Sequence, residues 1–430
     1  MIKAQAASWE TIVIGAGAAG LIAAERSAAM GRQTLLLEKS NKPGVKILMS
    51  GGTRCNLTHH TDRQGIIRAF GPQGRFLHSP LSYLSPQDVV ELFEREGVRT
   101  KVESTGKIFP ESNRALDVRD ALVRRLRVSG ATLQLGTAAQ SITRQSNESF
   151  VVETQSGSYS CEKLILTVGG QSYPGCGTTG DGYDWLREWG HQIVSPIPAL
   201  APLVTSDRWL QALQGISFQD VELWAEVSSS VKGHKKRLER ESRYRGDLLL
   251  THFGLSGPVP MNISRILGRA GHERPSFYCD FFPDYRQPEL EQKIRHISQQ
   301  VGKKGWGAGL GQLLPQRFMD AVLDHLSLDV NRRGSEVPGS WIVLVASTLK
   351  RLPMGVTGTR GFAKAEVTAG GVALDEVQSK SMESKLIPQL YLAGEILDLD
   401  GPIGGFNFQA AFSTGWLAGY QGQPPSPWES

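Results

Sequence analysis

The sequence predicts an α/β protein whose first domain is interrupted by an inserted region. Three observations lead to this prediction. A strand–helix–strand unit occupies the first forty residues, and further buried strands begin near Leu164 and Leu390. Between these two strands, a proline-rich stretch at 196–202 and a glycine-containing stretch at 352–361 enclose a region of different pattern. The chain therefore leaves its first domain and returns to it.

Composition limits the class of protein. The chain has 430 residues, of which 40% are hydrophobic and 21% charged, so it is long enough for two or three globular domains and is not a disordered chain. Its net charge of +5 permits an anionic partner without requiring one. The four cysteines form no CxxC pair, which argues against a redox dithiol and against a zinc site, and we expect no metal. No signal-like segment and no apolar run of ~18 residues is present, so we expect a cytoplasmic protein that does not enter a membrane.

The strand–helix–strand unit carries a nucleotide-binding pattern. A β-branched run, Thr11–Ile14, enters the glycine-rich turn Gly15–Gly20, and an alanine-rich helix is expected over Leu21–Met30. A second buried strand, Thr34–Leu37, ends on the carboxylate of Glu38. A glycine turn alone is a weak signal, but the strand before it, the helix after it and the acid at this distance agree with a βαβ nucleotide site.

Each residue type in that turn has a physical role. Gly15 permits the tight turn, Gly17 lets a pyrophosphate approach the backbone, and Gly20 permits close packing of helix on strand. The first N–H groups of the helix and its dipole favour phosphate. Glu38 can accept hydrogen bonds from a ribose diol and would repel a 2′-phosphate, which favours FAD or NAD over NADP.

Later glycine-rich stretches favour FAD over NAD. They are Gly44–Thr58, Leu164–Gly170, Leu390–Glu395 and Gly401–Ala411. A flavin dinucleotide is long, so turns that are distant in sequence must converge along it. A helix that begins near Gly405 can direct its N–H groups at the flavin N1/C2=O edge, which becomes negative on reduction.

Several motifs together resemble the bacterial HI0933-like family, also called BaiN-like, of NAD(P)/FAD-dependent oxidoreductases. The matching stretches run from IGAGAAG through KILMSGGTRCNLT, GGQSYPGCGTTGDGY and THFGLSGP to LYLAGEILDLDGPIGGFNFQAAFSTG, and so cover nearly the whole chain. The resemblance implies a Rossmann-type, glutathione-reductase-like FAD-binding domain. It also implies an inserted β-rich substrate domain that contains a small helical subdomain.

The resemblance and the glycine pattern together give the expected cofactor shell. Thr53 and Phe406 depart from the family, which usually has glycine and often tyrosine there. The expected FAD-binding residues are Gly15, Ala16, Gly17, Ala18, Ala19, Gly20, Glu38, Lys39, Lys46, Gly51, Gly52, Arg54, Cys55, Asn56, Ala139, Thr167, Gly169, Gly170, Asp181, Gly394, Glu395, Gly404, Gly405, Phe406 and Asn407.

The expected domains are a discontinuous FAD-binding domain and an insertion. The first covers 1–195 and 355–430, the second covers 196–354, and the helical subdomain covers about 285–352. Alternation predicts a half-buried strand over Val221–Ser229, and the apolar run Asp247–Phe253 predicts a buried strand. The predicted helices are Gln287–Gln300, Gln312–Leu328 and Trp341–Leu352.

The sequence does not identify the compound that reduces the flavin. The glycine-dense Gly305–Gly311 follows a polar helical stretch rather than a strand, so we expect a loop and no second Rossmann unit. Three alternatives remain. NAD(P)H can act as a transient donor in an open cleft, the flavin can be reduced by another route, or the protein can be an oxidase that passes electrons to O₂.

Four residues are candidates for catalysis, each with a structural alternative. Cys55 lies in the expected flavin loop as a proton donor or charge-transfer thiol, or as a small core residue. Asn56 is a polar candidate without an assigned step. Tyr173 can donate a proton near the ring or pack structurally, and His252 can face the cleft or hydrogen-bond to backbone.

Three functions are compatible with these features. The first is an FAD-dependent oxidoreductase that transfers hydride to or from a small organic substrate. The second is a flavin-dependent reductase of uridine in RNA, motivated by the basic segment Lys232–Arg245, which can equally be a solvated hairpin. The third is a non-catalytic flavin-binding protein. The sequence does not indicate the oligomeric state.

Overall fold

The computed structural model describes residues 7–226, 243–269, 275–302 and 305–422. The chain divides into two compact units, of which unit 1 is Met1–Pro198 with Glu366–Ser430 and unit 2 is Ala199–Ala365. The predicted basic segment lies outside the described residues except for Arg243, Tyr244 and Arg245.

Unit 1 is an α/β unit with one large sheet. Its strands are β1 Ala7–Ile14, β2 Thr34–Leu37, β3 Thr58–His59, β4 Thr100–Val102, β5 Lys107–Pro110, β6 Thr132–Gln134, β7 Ala139–Arg144, β8 Phe150–Thr154, β9 Gly157–Leu166, β10 Ile193–Ala199, β18 Val367–Val372 and β19 Leu390–Leu392. Its helices are α1 Ala18–Ala29, α2 Val45–Thr53, α3 Arg63–Ala69, α4 His78–Tyr83, α5 Pro86–Arg95, α6 Ala115–Val128, α7 Asp181–Glu188 and α15 Phe406–Tyr420. Short 3-10 helices lie at Gly71–Leu77, Pro174–Cys176 and Leu374–Glu376.

The large sheet has the order β6-β2-β1-β9-β8-β7, and β19 also pairs with β9. Strands β6, β2, β1, β9 and β19 run parallel, and β8 and β7 continue the sheet antiparallel. Ile12, Val13 and Leu36 are fully buried, as expected for parallel strands that are covered on both faces. The carboxyl ends of β1, β2, β9 and β19 therefore meet at one edge, where doubly wound sheets bind their ligands.

Helices α1 and α15 pack closely because small residues line their contact. A Cβ on Gly415 would lie 2.4 Å from the carbonyl oxygen of Ala19, and one on Gly419 would lie 2.6 Å from that of Ala23. Close contact between these helices fixes the N-terminal end of α1 against the C-terminal part of the chain.

Unit 2 combines an antiparallel sheet with a layer of helices. Its strands are β11 Leu203–Thr205, β12 Ser217–Glu226, β13 Arg243–Thr251, β14 Gly254–Ser256, β15 Ser276–Asp280, β16 Leu352–Met354 and β17 Val356–Thr359, in the sheet order β16-β15-β12-β13-β14-β11-β17. Its helices are α8 Arg208–Gln211, α9 Pro258–Ile263, α10 Arg265–Arg269, α11 Gln287–Val301, α12 Trp306–Leu310, α13 Gln316–His325 and α14 Gly339–Lys350, with 3-10 helices at Gly334–Glu336 and Phe362–Lys364. Phe218, Phe281 and Phe318 join sheet and helices, with ring centroids 4.7–4.8 Å apart.

The α/β fold class predicted from the sequence is confirmed, but three local predictions are wrong. The domain return expected at residue 355 lies at Glu366, because β17 pairs with β11 of unit 2. The strand expected to be buried over Asp247–Phe253 instead alternates, with Leu249 36% exposed, because one face of this antiparallel sheet is open. Gly305–Gly311 contains the short helix α12 instead of a loop.

Two predicted helices are shorter or shifted. The helix expected over Gln312–Leu328 begins only after Pro315, which serves as its N-cap. The apolar helix expected at Trp341–Leu352 begins at Gly339 and ends at Lys350, because Leu352 starts β16.

Candidate cofactor-binding and active site

The glycine turn after β1 has the geometry of a dinucleotide site. Gly15 has φ +99°, and a Cβ on it would lie 2.7 Å from the carbonyl oxygen of Thr167. A Cβ on Gly20 would lie 1.8 Å from the carbonyl oxygen of Gly15. Gly17, the N-cap of α1, has no heavy atom within 4 Å of an added Cβ. The turn is thus closed behind Gly15 and Gly20 and open at Gly17, as phosphate binding requires.

Polar residues on neighbouring strands fix this turn. Thr167 donates its hydroxyl to the carbonyl oxygens of Ile14 (2.9 Å) and Gly15 (2.8 Å). Glu38 accepts a hydrogen bond from the Ala16 N–H at 2.7 Å and another from the Ser40 N–H at 2.8 Å. Each carboxylate oxygen keeps a further lone pair. Glu38 therefore lies beside the turn with acceptor capacity for a ribose hydroxyl.

Lys39 and Asp181, both expected at the cofactor, pair with each other. The Lys39 ammonium donates to Asp181 Oδ2 at 2.6 Å and to the Thr179 hydroxyl at 2.7 Å. Burial raises the pKa of Asp181, but the hydrogen bonds from Lys39 and Thr179 outweigh it, and the pKa lies below its usual value. Asp181 is thus a carboxylate at neutral pH and holds the start of α7 near the end of β2.

A second polar cluster connects α2 with the end of β19. The Lys46 ammonium donates to Glu395 Oε2 at 2.5 Å and to the Ser172 hydroxyl at 2.6 Å. Glu395 Oε1 accepts from the Ser172 hydroxyl at 2.7 Å and from the Thr368 N–H at 2.8 Å. Glu395 follows Gly394, whose added Cβ would lie 2.9 Å from Ala19 Cβ. This polar cluster therefore lies next to α1 and carries both a cation and an anion.

Sequence reasoning identified Lys46 and Glu395 but missed Ser172 and Thr368. Both missed residues are fully buried. Thr368 Oγ1 accepts the N–H groups of Gln171 (2.8 Å) and Ser172 (3.0 Å), and a Cβ on Gly170 would lie 2.4 Å from it. Single serines and threonines follow no pattern in a sequence, so only their contacts identify them.

The last residues of α2 and the loop that follows contain several residues in the left-handed region. Gly51, Gly52 and Thr53 have φ of +55°, +66° and +68°, and Cys55 has φ +60°. Thr53 adopts this conformation although it has a branched Cβ, which costs about 1–2 kcal/mol. Arg54 donates to Glu103 at 2.6 Å and lies over the Phe109 ring at 4.0 Å. The loop is therefore held by its own side chains.

Cys55 and Asn56 are both buried. Burial raises the pKa of the Cys55 thiol to about 12, against a smaller opposing effect of its hydrogen bond with Ser50, and the residue is 0% exposed. The Asn56 amide, oriented so that its NH₂ faces carbonyl groups, donates to Ile108 and Thr58 and accepts the Gly405 N–H at 2.9 Å. These contacts favour a positioning role for both residues.

The loop before α15 carries the remaining residues that the sequence predicts at the cofactor. A Cβ on Gly405 (φ +87°) would lie 2.5 Å from the backbone of Thr58. Asn407 accepts the Gly401 N–H at 2.8 Å and donates to the Gly401 carbonyl at 3.0 Å. Because the Gly405 N–H binds Asn56, the N–H groups that α15 can offer to a flavin are those of its first turn, which starts at Phe406.

His59 is a further residue that sequence reasoning missed. Its ring stacks on Phe406 with centroids 4.6 Å apart, and its Nδ1 lies 3.0 Å from the Gly404 carbonyl oxygen. Burial lowers the pKa of His59 below its usual value. The stacking explains how phenylalanine is accommodated where the family often has tyrosine.

The other candidates are placed as follows. Gly169 has φ +74°, and a Cβ on it would lie 2.8 Å from Thr178 Cγ2. Ala139 begins β7, and Tyr173 has φ +54° in the loop between β9 and α7. The Tyr173 hydroxyl has no hydrogen-bond partner within the described part of the chain. His252 lies in unit 2, in the turn between β13 and β14.

The fold and this site define a Rossmann-type dinucleotide-binding protein, and the comparisons identify its family. The model of the HI0933-like protein Rossmann domain matches residues 9–421, so the chain belongs to the HI0933-like family. Fold and family place it among the FAD-dependent oxidoreductases.

Similar proteins extend over nearly the whole chain. A ribosomal RNA dihydrouridine synthase of Escherichia coli (strain K12) is 30% identical over 413 residues, which are 95% of this chain and 96% of that protein. A 3-dehydro-bile acid delta(4,6)-reductase of Clostridium scindens is 28% identical over 412 residues, or 95% of this chain and 97% of that protein. A solved 3-ketosteroid-delta4-(5alpha)-dehydrogenase from Rhodococcus jostii RHA1 matches with a TM-score of 0.46 and 13% identity, covering 97% of this chain and 98% of that one.

Among the described residues, metal-binding clusters and membrane-spanning helices are both absent. No group of three or more histidine, cysteine, aspartate or glutamate side chains is placed to hold a metal ion there. None of the described helices combines the length and the apolar character that crossing a bilayer needs.

Proposed function

We propose that the protein is an FAD-dependent reductase of a carbon–carbon double bond conjugated with a carbonyl group, and that its substrate is uracil in ribosomal RNA. The observation that carries the proposal is the 30% identity with ribosomal RNA dihydrouridine synthases of two bacteria over 95% of the chain. The steroid-type reductase at 28% identity supports the bond type, since its substrate name also denotes double bonds conjugated with an oxo group.

The chemistry common to these relatives is simple. Dihydrouridine differs from uridine by hydrogens added at C5 and C6, and the C5=C6 bond is conjugated with the C4 carbonyl. Reduction of such a bond needs a hydride at the β carbon and a proton at the α carbon. FAD supplies the hydride when bound, and NAD(P)H is proposed as the compound that delivers electrons to it.

The residues of unit 1 fit this cofactor. Gly15, Gly17 and Gly20 with the first turn of α1 would hold the pyrophosphate, and Glu38 would accept from the ribose. The fit rests on the open backbone at Gly17, where an added Cβ meets nothing within 4 Å.

Residues at the other end of the site would orient the flavin and the substrate. Lys46 and Glu395 form a cation and an anion fixed 2.5 Å apart, and the first turn of α15 offers N–H groups to a developing negative charge. Tyr173 is the proposed proton donor of unit 1, because its hydroxyl has no partner within the described residues. Cys55 and Asn56 are proposed as positioning residues instead.

One experiment decides between the two relatives' substrates. Purified protein is incubated anaerobically with NADH or NADPH and ribosomal RNA transcribed in vitro, and the nucleosides are analysed by mass spectrometry. A parallel sample contains a 3-oxo-4,6-diene steroid, whose loss is followed by ultraviolet absorption. We expect dihydrouridine to form; reduction of the steroid alone would favour the second candidate, and reduction of neither would overturn the proposal.

A further inference from the structure

A basic groove lies on unit 1 outside the cluster described above. It runs between residues 72–76 and 374–385, has a volume of about 550 Å³ and is open to solvent. Its lining includes Arg75, Lys380 and Lys385 against one carboxylate, that of Asp375. None of the three cations forms an ion pair with a described residue, although the Lys385 ammonium donates to the Asp375 backbone carbonyl at 2.6 Å.

The wall that carries Lys380 and Lys385 is fixed by a buried hydrogen-bond chain. His191 joins Glu376 (Nδ1 to Oε2, 3.0 Å) to the hydroxyl of Ser384 (Nε2 to Oγ, 2.9 Å). The Lys385 N–H donates to the Glu376 carbonyl at 2.8 Å, and the Gln378 N–H donates to the Glu383 carbonyl at 2.8 Å. His191 and Ser384 are each 3% exposed. The two segments of this wall are therefore tied together, so the backbone that carries Lys380 and Lys385 needs little ordering on binding.

The hydrogen-bonded group of Ser384, His191 and Glu376 does not form a hydrolytic site, although these are the residue types of a catalytic triad. The Ser384 hydroxyl also accepts the N–H groups of Leu386 (3.1 Å) and Ile387 (2.9 Å). With the hydroxyl buried and engaged in this way, no substrate can reach it. Its role is to support the groove.

The composition of the groove favours a phosphodiester backbone. Three cations against one anion give net positive charge, and the amides of Gln73 and Gln378 can hydrogen-bond phosphate or sugar oxygens. A small-molecule site would enclose most of its ligand, whereas this groove is open. An open, positively charged groove suits a strand that enters and leaves it.

We propose that the basic groove binds the sugar–phosphate backbone of the RNA substrate, away from the base that is reduced. This inference rests on the proposed function, since an RNA substrate is what gives the groove a polyanionic occupant. Arg75, Lys380 and Lys385 neutralise phosphates, and they contribute affinity and not chemistry.

The test compares RNA binding by three forms of the full chain carrying FAD. One is unchanged, one carries R75Q, K380Q and K385Q, and the control carries R95Q, R99Q and R127Q, which remove the same charge from exposed positions outside the groove. Binding of a fluorescent ribosomal RNA fragment is measured by anisotropy at several salt concentrations. Melting temperature and flavin absorption establish that each variant is folded.

We expect the groove variant to bind RNA about 100-fold more weakly at ~0.1 M salt, because three phosphate contacts are lost. For the same reason, the slope of log affinity against log salt concentration should be smaller in magnitude by about two. The control should stay within about twofold of the unchanged protein. For rRNA reduction the groove variant should raise KM with kcat unchanged, and its flavin should still be reduced by NAD(P)H.

Two outcomes would overturn the inference and are distinguishable. If the unchanged protein binds RNA and the groove variant binds it equally well, the groove is not the RNA site, and the proposed function stands. If the unchanged protein neither binds nor reduces RNA, the RNA substrate and the groove proposal fail together.

Discussion

At the scale of single residues, Gly17 and Gly20 differ in what surrounds them. An added side chain at Gly17 meets no protein atom within 4 Å, whereas a Cβ at Gly20 would lie 1.8 Å from the Gly15 carbonyl oxygen. We therefore expect cofactor-free Gly17→Val to keep the melting temperature of the unchanged protein and to fail to bind FAD, because the new side chain occupies the proposed position of the pyrophosphate. Gly20→Ala should instead destabilise the protein by about 1–3 kcal/mol through overpacking.

Thermal unfolding of the cofactor-free proteins and titration with FAD measure the two effects separately. A Gly17→Val protein that retains FAD with ordinary affinity would contradict the assignment of this turn as the pyrophosphate site.

Cys55 is the second residue whose role can be tested by a single change. Burial raises the pKa of its thiol to about 12, so it is not a thiolate at neutral pH and cannot form a charge-transfer complex as one. Cys55→Ala should therefore keep turnover within about twofold and leave the pH dependence of the rate unchanged, while stability falls by about 1 kcal/mol.

Cys161→Ala is the matched control, because Cys161 in β9 is 2% exposed and burial raises its pKa to about 12 as well. Steady-state kinetics across a pH series would make the comparison. A large loss of turnover in Cys55→Ala alone, with flavin content and folding intact, would show that the thiol takes part in the reaction.

At the scale of elements, the segment 374–387 depends on the protonation of His191. Burial lowers the pKa of His191 below its ordinary value of 6.5, although Glu376 opposes this effect. The unfolded chain then binds the proton more readily than the folded one. The resulting stability is present above about pH 6.5 and is lost as the pH falls below it.

Urea unfolding at several pH values between about 5 and 8 tests this dependence. His191→Gln should show a smaller decrease of the unfolding free energy toward acid pH than the unchanged protein. His60→Gln, at an exposed position, should not alter the slope. Equal slopes in all three proteins would mean that His191 does not titrate as its burial indicates.

Some helices and strands could be predicted from the sequence, and others could not. The βαβ unit was predictable because the strand, turn and helix that form it are adjacent in the chain and repeat with characteristic periods. The return of the chain to unit 1 was misplaced, because the pairing of β17 with β11 joins residues about 150 positions apart and leaves no local signal. The short helix α12 was missed because its glycines have low helix propensity, and tertiary packing of the fully buried Trp306 and Leu310 overrides it.

The glycines of the site could be predicted from the sequence better than its polar residues. Glycines at positive φ, such as Gly15 and Gly405, are visible in a sequence because few other residues adopt that backbone. Polar residues such as Ser172 and His59 are identified only by their partners, which come from distant parts of the chain. Catalytic roles depend on such partners, so the sequence could name candidate residues but could not assign a role to each of them.

At the scale of the whole molecule, unit 1 contains every predicted FAD-binding residue, and these residues come from both ends of the chain. The hydrogen bonds that connect them, such as Lys46 with Glu395, form only when the C-terminal segment has packed on the N-terminal one. FAD binding and folding of unit 1 are therefore expected to be linked, so that bound FAD raises the melting temperature.

The visible absorption spectrum of the purified protein shows whether this chain is a flavin-dependent reductase. The spectrum is recorded anaerobically before and after NADH, then NADPH, and again after addition of unmodified ribosomal RNA without air. We expect a flavin spectrum that is bleached by NADH or NADPH and restored by the RNA. Protein that shows no flavin, even after incubation with FAD, would contradict the account.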